Sequence, residues 1–254
     1  MLILPAALAI AFALYLPLPQ AAALLQRLLL RLYARVRAAF TDKRSRTDER
    51  SALAVFALLL GGVSAVIAAL HPVAATLTIA PLFTALARVP KAAAVKRDLD
   101  GGSHVGDIAA YESLVSETCA DLAPAFAAEV FLPLLLCALG LVLRLGGALG
   151  WAALGLRAAA ENEHARRILG PLDRAGDKAL HALMLLCACL VGRNPFRTRG
   201  KDARARLLSV LGIAQDETRV HPPMAGDIAQ AAFLCCFCLC LLCFALALIL
   251  LPLL

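Results

Sequence analysis

The chain has 254 residues, of which 61% are hydrophobic, and its mean hydropathy is +0.80. Soluble globular proteins contain about 45 to 50% apolar residues, so this composition excludes an ordinary water-soluble fold. The formal charge of +7 could suit a nucleic acid partner, but all the Lys and Arg except Arg144 lie in polar blocks beside long apolar segments. That arrangement is typical of membrane orientation and speaks against nucleic acid as a partner.

The alternation of polar blocks and apolar segments predicts an all-α fold. We expect a polytopic helical membrane protein with about six spans, plus cytoplasmic amphipathic or re-entrant helices. The whole chain, 1–254, is predicted to be a single integral membrane domain whose first partner is the lipid bilayer. We expect a multi-pass protein of a bacterial inner (plasma) membrane with its basic loops in the cytoplasm.

The amino-terminal spans are predicted within residues 1–90. Residues 2–18 are about long enough to span and lack a cleavage site, which predicts an anchor rather than a removed signal peptide. Residues 51–70 and 73–87 predict a helical hairpin that turns at His71.

Residues 20–40 separate the first two of these spans. They carry Arg27, Arg31 and Arg35 at four-residue spacing with leucines on the remaining face. This pattern predicts a helix that lies along the membrane surface. A connecting helix with one solvated face would show the same pattern.

Hydropathy divides the rest of the chain into a cytoplasmic segment (91–121), a helical hairpin (122–156), a second cytoplasmic segment (157–227) and a carboxy-terminal span (228–254). Arg144 is expected near the outer turn of the hairpin. Residues 179–192 are apolar but only 14 residues long, which predicts a re-entrant or buried core helix inside the second cytoplasmic segment.

Five cysteines lie within the last apolar segment: Cys235, Cys236, Cys238, Cys240 and Cys243. Their spacing resembles metal motifs, but no polar shell accompanies them. We therefore predict buried thiols that pack as small hydrophobic side chains.

Glu117 and Asp121 are the first candidate site residues. They lie four residues apart just before the apolar hairpin, which puts both carboxylates on one face of a helix. Two carboxylates so placed can share a divalent cation that carries phosphate. A solvated helix face with capping acids would show the same spacing, so both interpretations stay open.

A second polar cluster follows the hairpin, over residues 161–178, and includes Asn162, Glu163 and Arg166. Arginines suit phosphate or carboxylate groups, and the acids suit a metal or an amine. A surface helix with paired charges would have the same composition. Farther on, His221 precedes two prolines and the last span, where it either faces a site or marks a helix start.

These motifs occur in a recognisable order. The first group consists of Arg97, Asp98, Glu117, Asp121, Ala123 and Pro124. In this order the chain resembles the CobD/CbiB family of cobalamin-biosynthesis membrane proteins, whose relatives include the AmpE signalling protein. In that family an Arg-Asp pair precedes a helix of the form E-S-x-x-E-N-x-x-D and then Ala-Pro. Here Ser113 and Thr118 stand at the first Glu and the Asn of that helix.

The resemblance continues downstream. The family has a Gly-Gly-Ala motif, a basic residue, an Asn and Glu motif and a His-Pro motif. The corresponding residues here are Gly146, Gly147, Ala148, Arg157, Asn162, Glu163, His221 and Pro222.

The resemblance implies an acid-amine ligase that uses ATP and Mg²⁺ as cofactors. Such an enzyme condenses adenosylcobyric acid, a corrinoid, with aminopropanol phosphate to give adenosylcobinamide phosphate. The resemblance implies catalytic roles for Glu117, Asp121, Asn162 and Glu163, of which Glu117 and Asp121 would also hold the metal. It implies substrate binding by Arg97, Asp98, Arg157, Arg166 and His221.

The alternative is a non-catalytic, AmpE-like membrane protein of the same superfamily. Such a protein would act in signalling, or would bind another membrane protein or a second copy of itself.

Overall fold

The computed structural model describes residues 2–40, 46–102, 107–189, 192–193, 198, 200–214 and 219–251. Across this part of the chain it is helical and has no strand, which confirms the predicted all-α class. The α-helices are α1 (Ile3–Tyr15), α2 (Gln20–Phe40), α3 (Arg46–Leu70), α4 (Pro72–Ile79), α5 (Arg88–Asp100), α6 (Ile108–Phe126), α7 (Leu132–Val142), α8 (Ala148–Ala158), α9 (Glu163–Ala188), α10 (Ala203–Leu211) and α11 (Ala225–Leu250).

Among the described residues, three helical stretches are long and apolar enough to cross a membrane. They are Glu49–Leu70, Ile108–Val142 and Ala225–Leu250. The number rises to five if each of two bent pairs counts as one span. In contrast, α8 has 11 residues, which gives about 16 Å of helix, whereas the hydrocarbon core is about 30 Å thick.

The first bent pair is α1 with α2. The two helices meet at 102°, and Pro17 and Pro19 lie between them. Proline cannot donate a backbone hydrogen bond, so the helix stops here and the chain changes direction. The Tyr15 hydroxyl donates to the carbonyl of Pro81 at 2.8 Å, which fixes the end of α1 against the segment that follows α4.

The turn after α3 and the turn between α7 and α8 lie at the same end of the helical bundle. A Cβ added to Gly146 would come within 2.4 Å of the Ala68 Cβ, so the two turns are in close contact. Arg144 lies in the second turn with a φ of 60°, a left-handed backbone conformation that residues other than glycine rarely adopt. From this end α8 packs along α3. The Trp151 indole also donates to the carbonyl of Thr78 at 2.7 Å.

The long apolar stretch of α6 and α7 contains a π-helical segment, Ala127–Phe131. Pro133 lies four residues after Glu129 and cannot donate to its carbonyl. The N–H of Leu132 instead bonds the carbonyl of Ala127, five residues earlier, so the chain widens here and stays helical. The boundary that we predicted at residues 121 and 122 therefore falls inside a continuous helix.

The helix α9 is one element of 26 residues. The sequence had predicted a polar segment to residue 178 and a separate short helix over 179–192. A single buried stripe joins these two parts, with Ala165, Leu169, Gly176, Leu180, Met184 and Cys187 at spacings of three, four or seven residues. At Gly176, α9 approaches the π-helical segment so closely that an added Cβ would lie 2.3 Å from the Ala127 carbonyl oxygen.

Candidate ligand-binding site

A pocket of about 240 Å³ lies between α2, the 3₁₀ segment Thr84–Ala87, the start of α5 and the end of α8. Its polar lining consists of Gln26, Thr84, Arg88, Lys91, Glu129 and Arg157. We call this cavity the Glu129 pocket. Leu25, Leu29 and Leu154 supply apolar walls beside these groups.

Glu129 stands on the π-helical segment and carries the one carboxylate among the described residues that line the pocket. The guanidinium of Arg88 donates to Glu129 Oε1 at 3.1 Å, and the Thr84 hydroxyl lies 3.4 Å from Oε2. The Glu129 side chain is 24% exposed and that of Arg88 is 47% exposed. The pair is thus partly open to the cavity.

Arg157 enters the pocket from the last turn of α8 and pairs with Asp173 of α9. Asp173 does not belong to the pocket lining. Lys91 lies one turn after Arg88 on α5 and is exposed. Three cations thus line the cavity, and the two carboxylates that pair with them, Glu129 and Asp173, leave one positive charge in excess, so the potential favours a negatively charged group.

Glu117 and Asp121 lie on α6, and both are exposed. Glu117 lines a groove of about 530 Å³ between α6 and α10, opposite Arg204. The Ser113 hydroxyl donates to Glu117 Oε1 at 3.3 Å. The described residues contain no group of three or more His, Cys, Asp or Glu side chains arranged to hold a metal ion. Two carboxylates are still enough for Mg²⁺ where a substrate phosphate supplies further oxygens.

Arg97 and Asp98 lie near the end of α5, and both are exposed. The Arg97 Nε donates to the carbonyl of Ala93, one turn earlier on the same helix. Arg97 lies about two and a half turns after Arg88 on α5, outside the lining of the Glu129 pocket.

Asn162, Glu163 and Arg166 form the junction between α8 and α9. The Asn162 side chain caps α9 by accepting from the N–H of His164 at 2.9 Å, and its amide donates to the Tyr33 hydroxyl at 3.3 Å. Glu163 pairs with Arg167 at 2.6 Å. Arg166 donates to the carbonyls of Ala160 and Glu161, which follow the last turn of α8.

His221 lies between α10 and α11. Its Nε2 is 3.1 Å from the carbonyl of Leu211, and its Nδ1 is 2.8 Å from that of Pro222. Asp227 is buried and accepts from the N–H of Met224 at 2.7 Å, with His221 Nε2 at 3.8 Å. These contacts fix the start of α11.

The sequence-predicted residues thus occupy five places: the α6 face, the end of α5, the last turn of α8, the α8–α9 junction and the start of α11. Arg157 is the one among them that lines the Glu129 pocket. Sequence reasoning missed Arg88, Lys91 and Glu129 as site residues. The usable signal was Glu129, an acid inside a long apolar stretch, because ionisable groups at membrane depth are costly and commonly functional.

No protein-family model, curated protein or solved structure matches this chain.

Proposed function

We propose that this chain is a multi-pass membrane protein that binds a phosphate or carboxylate group of a small molecule in the Glu129 pocket. The supporting observation is the set of three cations, Arg88, Lys91 and Arg157, around a cavity with Glu129 as its lining carboxylate. Arginine and lysine are the side chains that bind phosphate and carboxylate groups best.

The proposed topology has about six crossings with both termini outside and the basic segments in the cytoplasm of a bacterial cell. The crossings are α1, α3, α4 with the start of α5, α6 with α7, and α11. The sixth is α8, whose short length the bilayer would accommodate by thinning locally. On this arrangement α2 lies along the cytoplasmic surface, because it follows a 102° bend and carries Arg27, Arg31 and Arg35. The Glu129 pocket then opens at that surface.

The size of the pocket limits its ligand. Sites for drug-sized molecules measure about 300 to 1,000 Å³, so a cavity of about 240 Å³ suits a small headgroup rather than a corrin ring. Within the cobinamide-phosphate synthase proposal, aminopropanol phosphate is the substrate of suitable size. Glu117 and Asp121 would hold Mg²⁺, whose chemistry is to neutralise the charge of ATP phosphates. The corrinoid would lie across the exposed surface beside α6.

The non-catalytic, AmpE-like function remains the second proposal. It is favoured by the structural use of two candidate residues, since Asn162 caps α9 and His221 joins the carbonyls of Leu211 and Pro222. A signalling or partner-binding protein needs these positions for its fold alone.

Pyrophosphate binding to the purified protein tests the pocket, with thermal unfolding in detergent as the measurement. We expect pyrophosphate to raise the unfolding temperature over a chloride control of equal ionic strength. Lys91→Gln should weaken the effect because it removes a pocket cation, whereas Glu129→Gln should strengthen it. Arg174→Gln is the matched control, because it removes an exposed cation of α9 outside the pocket. The proposal is wrong if Lys91→Gln and Arg174→Gln weaken binding equally.

A further inference from the structure

A third cavity, of about 440 Å³, lies between the first turns of α3, the end of α8 and the start of α9. Its walls include Leu53, Ala57, Leu156 and Ile168. Ile168 is 49% exposed. We call this cavity the α3–α9 groove. It shares no lining residue with the Glu129 pocket.

Basic side chains line the groove at one end. Arg50 of α3 donates through Nε to His164 Nε2 at 3.1 Å, which holds the guanidinium beside the start of α9. Arg167 lies one turn after Glu163 and pairs with it at 2.6 Å, with side-chain exposures of 69% and 73%. An ion pair this exposed contributes little, so Arg167 can exchange Glu163 for another anion at small cost.

The chemistry of the groove changes with depth along α3. The candidate span begins at Glu49, so Arg50 stands at its polar end. Leu53 and Ala57 lie about 5 and 10 Å farther along the helix axis, at a rise of about 1.5 Å per residue. The cations are therefore placed at the level of lipid phosphates, and the apolar walls are placed at the level of acyl chains.

We propose that the α3–α9 groove binds an anionic phospholipid. The lipid phosphate lies against Arg50 and Arg167, and one acyl chain lies along Leu53, Ala57, Leu156 and Ile168. A lipid fits better than a soluble anion because the apolar walls would desolvate a small polar ligand without pairing it. Basic pockets between helices at the cytoplasmic surface are a known way of selecting anionic lipids.

The test is native mass spectrometry of delipidated protein in detergent, titrated with dioleoylphosphatidylglycerol or dioleoylphosphatidylcholine. We expect the anionic lipid to bind at least about fivefold more tightly than the zwitterionic one, which corresponds to one basic side chain near the phosphate. The double variant Arg50→Gln, Arg167→Gln should remove that preference. Arg174→Gln on the same helix should keep it.

A second variant tests the apolar part without touching a charge. Ala57→Phe fills the groove and should weaken binding of both lipids by a similar factor. Inorganic phosphate should not displace the anionic lipid, because it gains nothing from the walls. Equal affinity of the wild-type protein for the two lipids, or displacement by phosphate, would overturn the proposal. So would an unchanged lipid preference in the double variant together with unchanged binding in Ala57→Phe.

Discussion

Cys187 of α9 and Cys238 of α11 are 51 residues apart in the sequence, yet their Sγ atoms lie 3.3 Å apart in the buried core. The contact joins α9 to α11, the carboxy-terminal candidate span. Of the five cysteines predicted to be buried in this segment, Cys235, Cys238 and Cys243 are buried, whereas Cys236 is half-buried and Cys240 is exposed.

This contact predicts an intramolecular cross-link. A small membrane-permeant oxidant such as iodine should join Cys187 to Cys238, because closing 3.3 Å to a bond of about 2.0 Å needs little movement. Each disulfide formed releases two protons and protects two thiols. Intact-mass measurement after maleimide labelling under denaturing conditions should therefore count two fewer labels. Cys187→Ala should abolish this loss of labels. Cys189→Ala changes an exposed neighbour and should keep the loss of two labels. Equal protection of thiols in the two variants would contradict the packing of α9 on α11.

A matched pair of glycines tests how α9 contacts the π-helical segment. Gly176→Ala should destabilise the protein, because the new Cβ would lie 2.3 Å from the Ala127 carbonyl oxygen. Overpacking of this kind costs about 1 to 3 kcal/mol. Gly62→Ala within α3 meets nothing within 4 Å and should raise stability by about 0.5 to 1 kcal/mol through helix propensity. Thermal unfolding of the two variants should move in opposite directions, and a shift of the same sign would refute this contact.

Topology can be tested by cysteine accessibility in intact cells. His71→Cys and Arg144→Cys should react together with an impermeant maleimide from outside, because Ala68 and Gly146 bring their two turns into contact. Lys201→Cys should react with this maleimide only after the cells are permeabilised. The background should lack the exposed Cys189 and Cys240. Labelling of Lys201→Cys in intact cells would rule out the six-crossing arrangement.

The metal proposal for α6 has a separate genetic test. Glu117→Gln and Asp121→Asn keep the side-chain shape, and both residues are exposed, so protein levels should not fall. If the two carboxylates hold Mg²⁺, each change should lower complementation of a cobinamide-phosphate-synthase mutant strain by about a hundredfold. Arg174→Gln serves again as a surface control. Full complementation by both variants would remove Glu117 and Asp121 from the site, and failure of the wild-type gene would favour the non-catalytic proposal.

The sequence predicted the helical class because the signals for a helix lie close together along the chain. Apolar runs and arginine spacing locate α2 at the residues where the structure has it, Gln20–Phe40. Hydropathy failed at α9, because it averages over all faces of a helix. The charged first half and the apolar second half differ in mean composition, but the buried stripe from Ala165 to Cys187 passes through both.

The Glu129 pocket was harder to predict for a different reason. Glu129 pairs with Arg88, 41 residues earlier, and Arg157 pairs with Asp173 of the next helix. The sequence shows each charge but not which distant charge it meets. It also gives no sign that residues 127–131 widen into a π-helix, since Pro133 alone predicts a kink or a break.

The widened turn at residues 127–131 makes the length of the chain here as important as its composition. Deleting Ala128 would let an ordinary helix form, but each residue of an α-helix turns by about 100° and rises about 1.5 Å. Everything before the deletion would rotate by that angle relative to α7, so α6 and α7 could not both keep their present neighbours. A homologue that preserves the Glu129 pocket must therefore preserve the nine-residue interval between Pro124 and Pro133, even where few of its side chains are the same as in this chain. Spacing is the signature by which distant relatives of this chain can be sought.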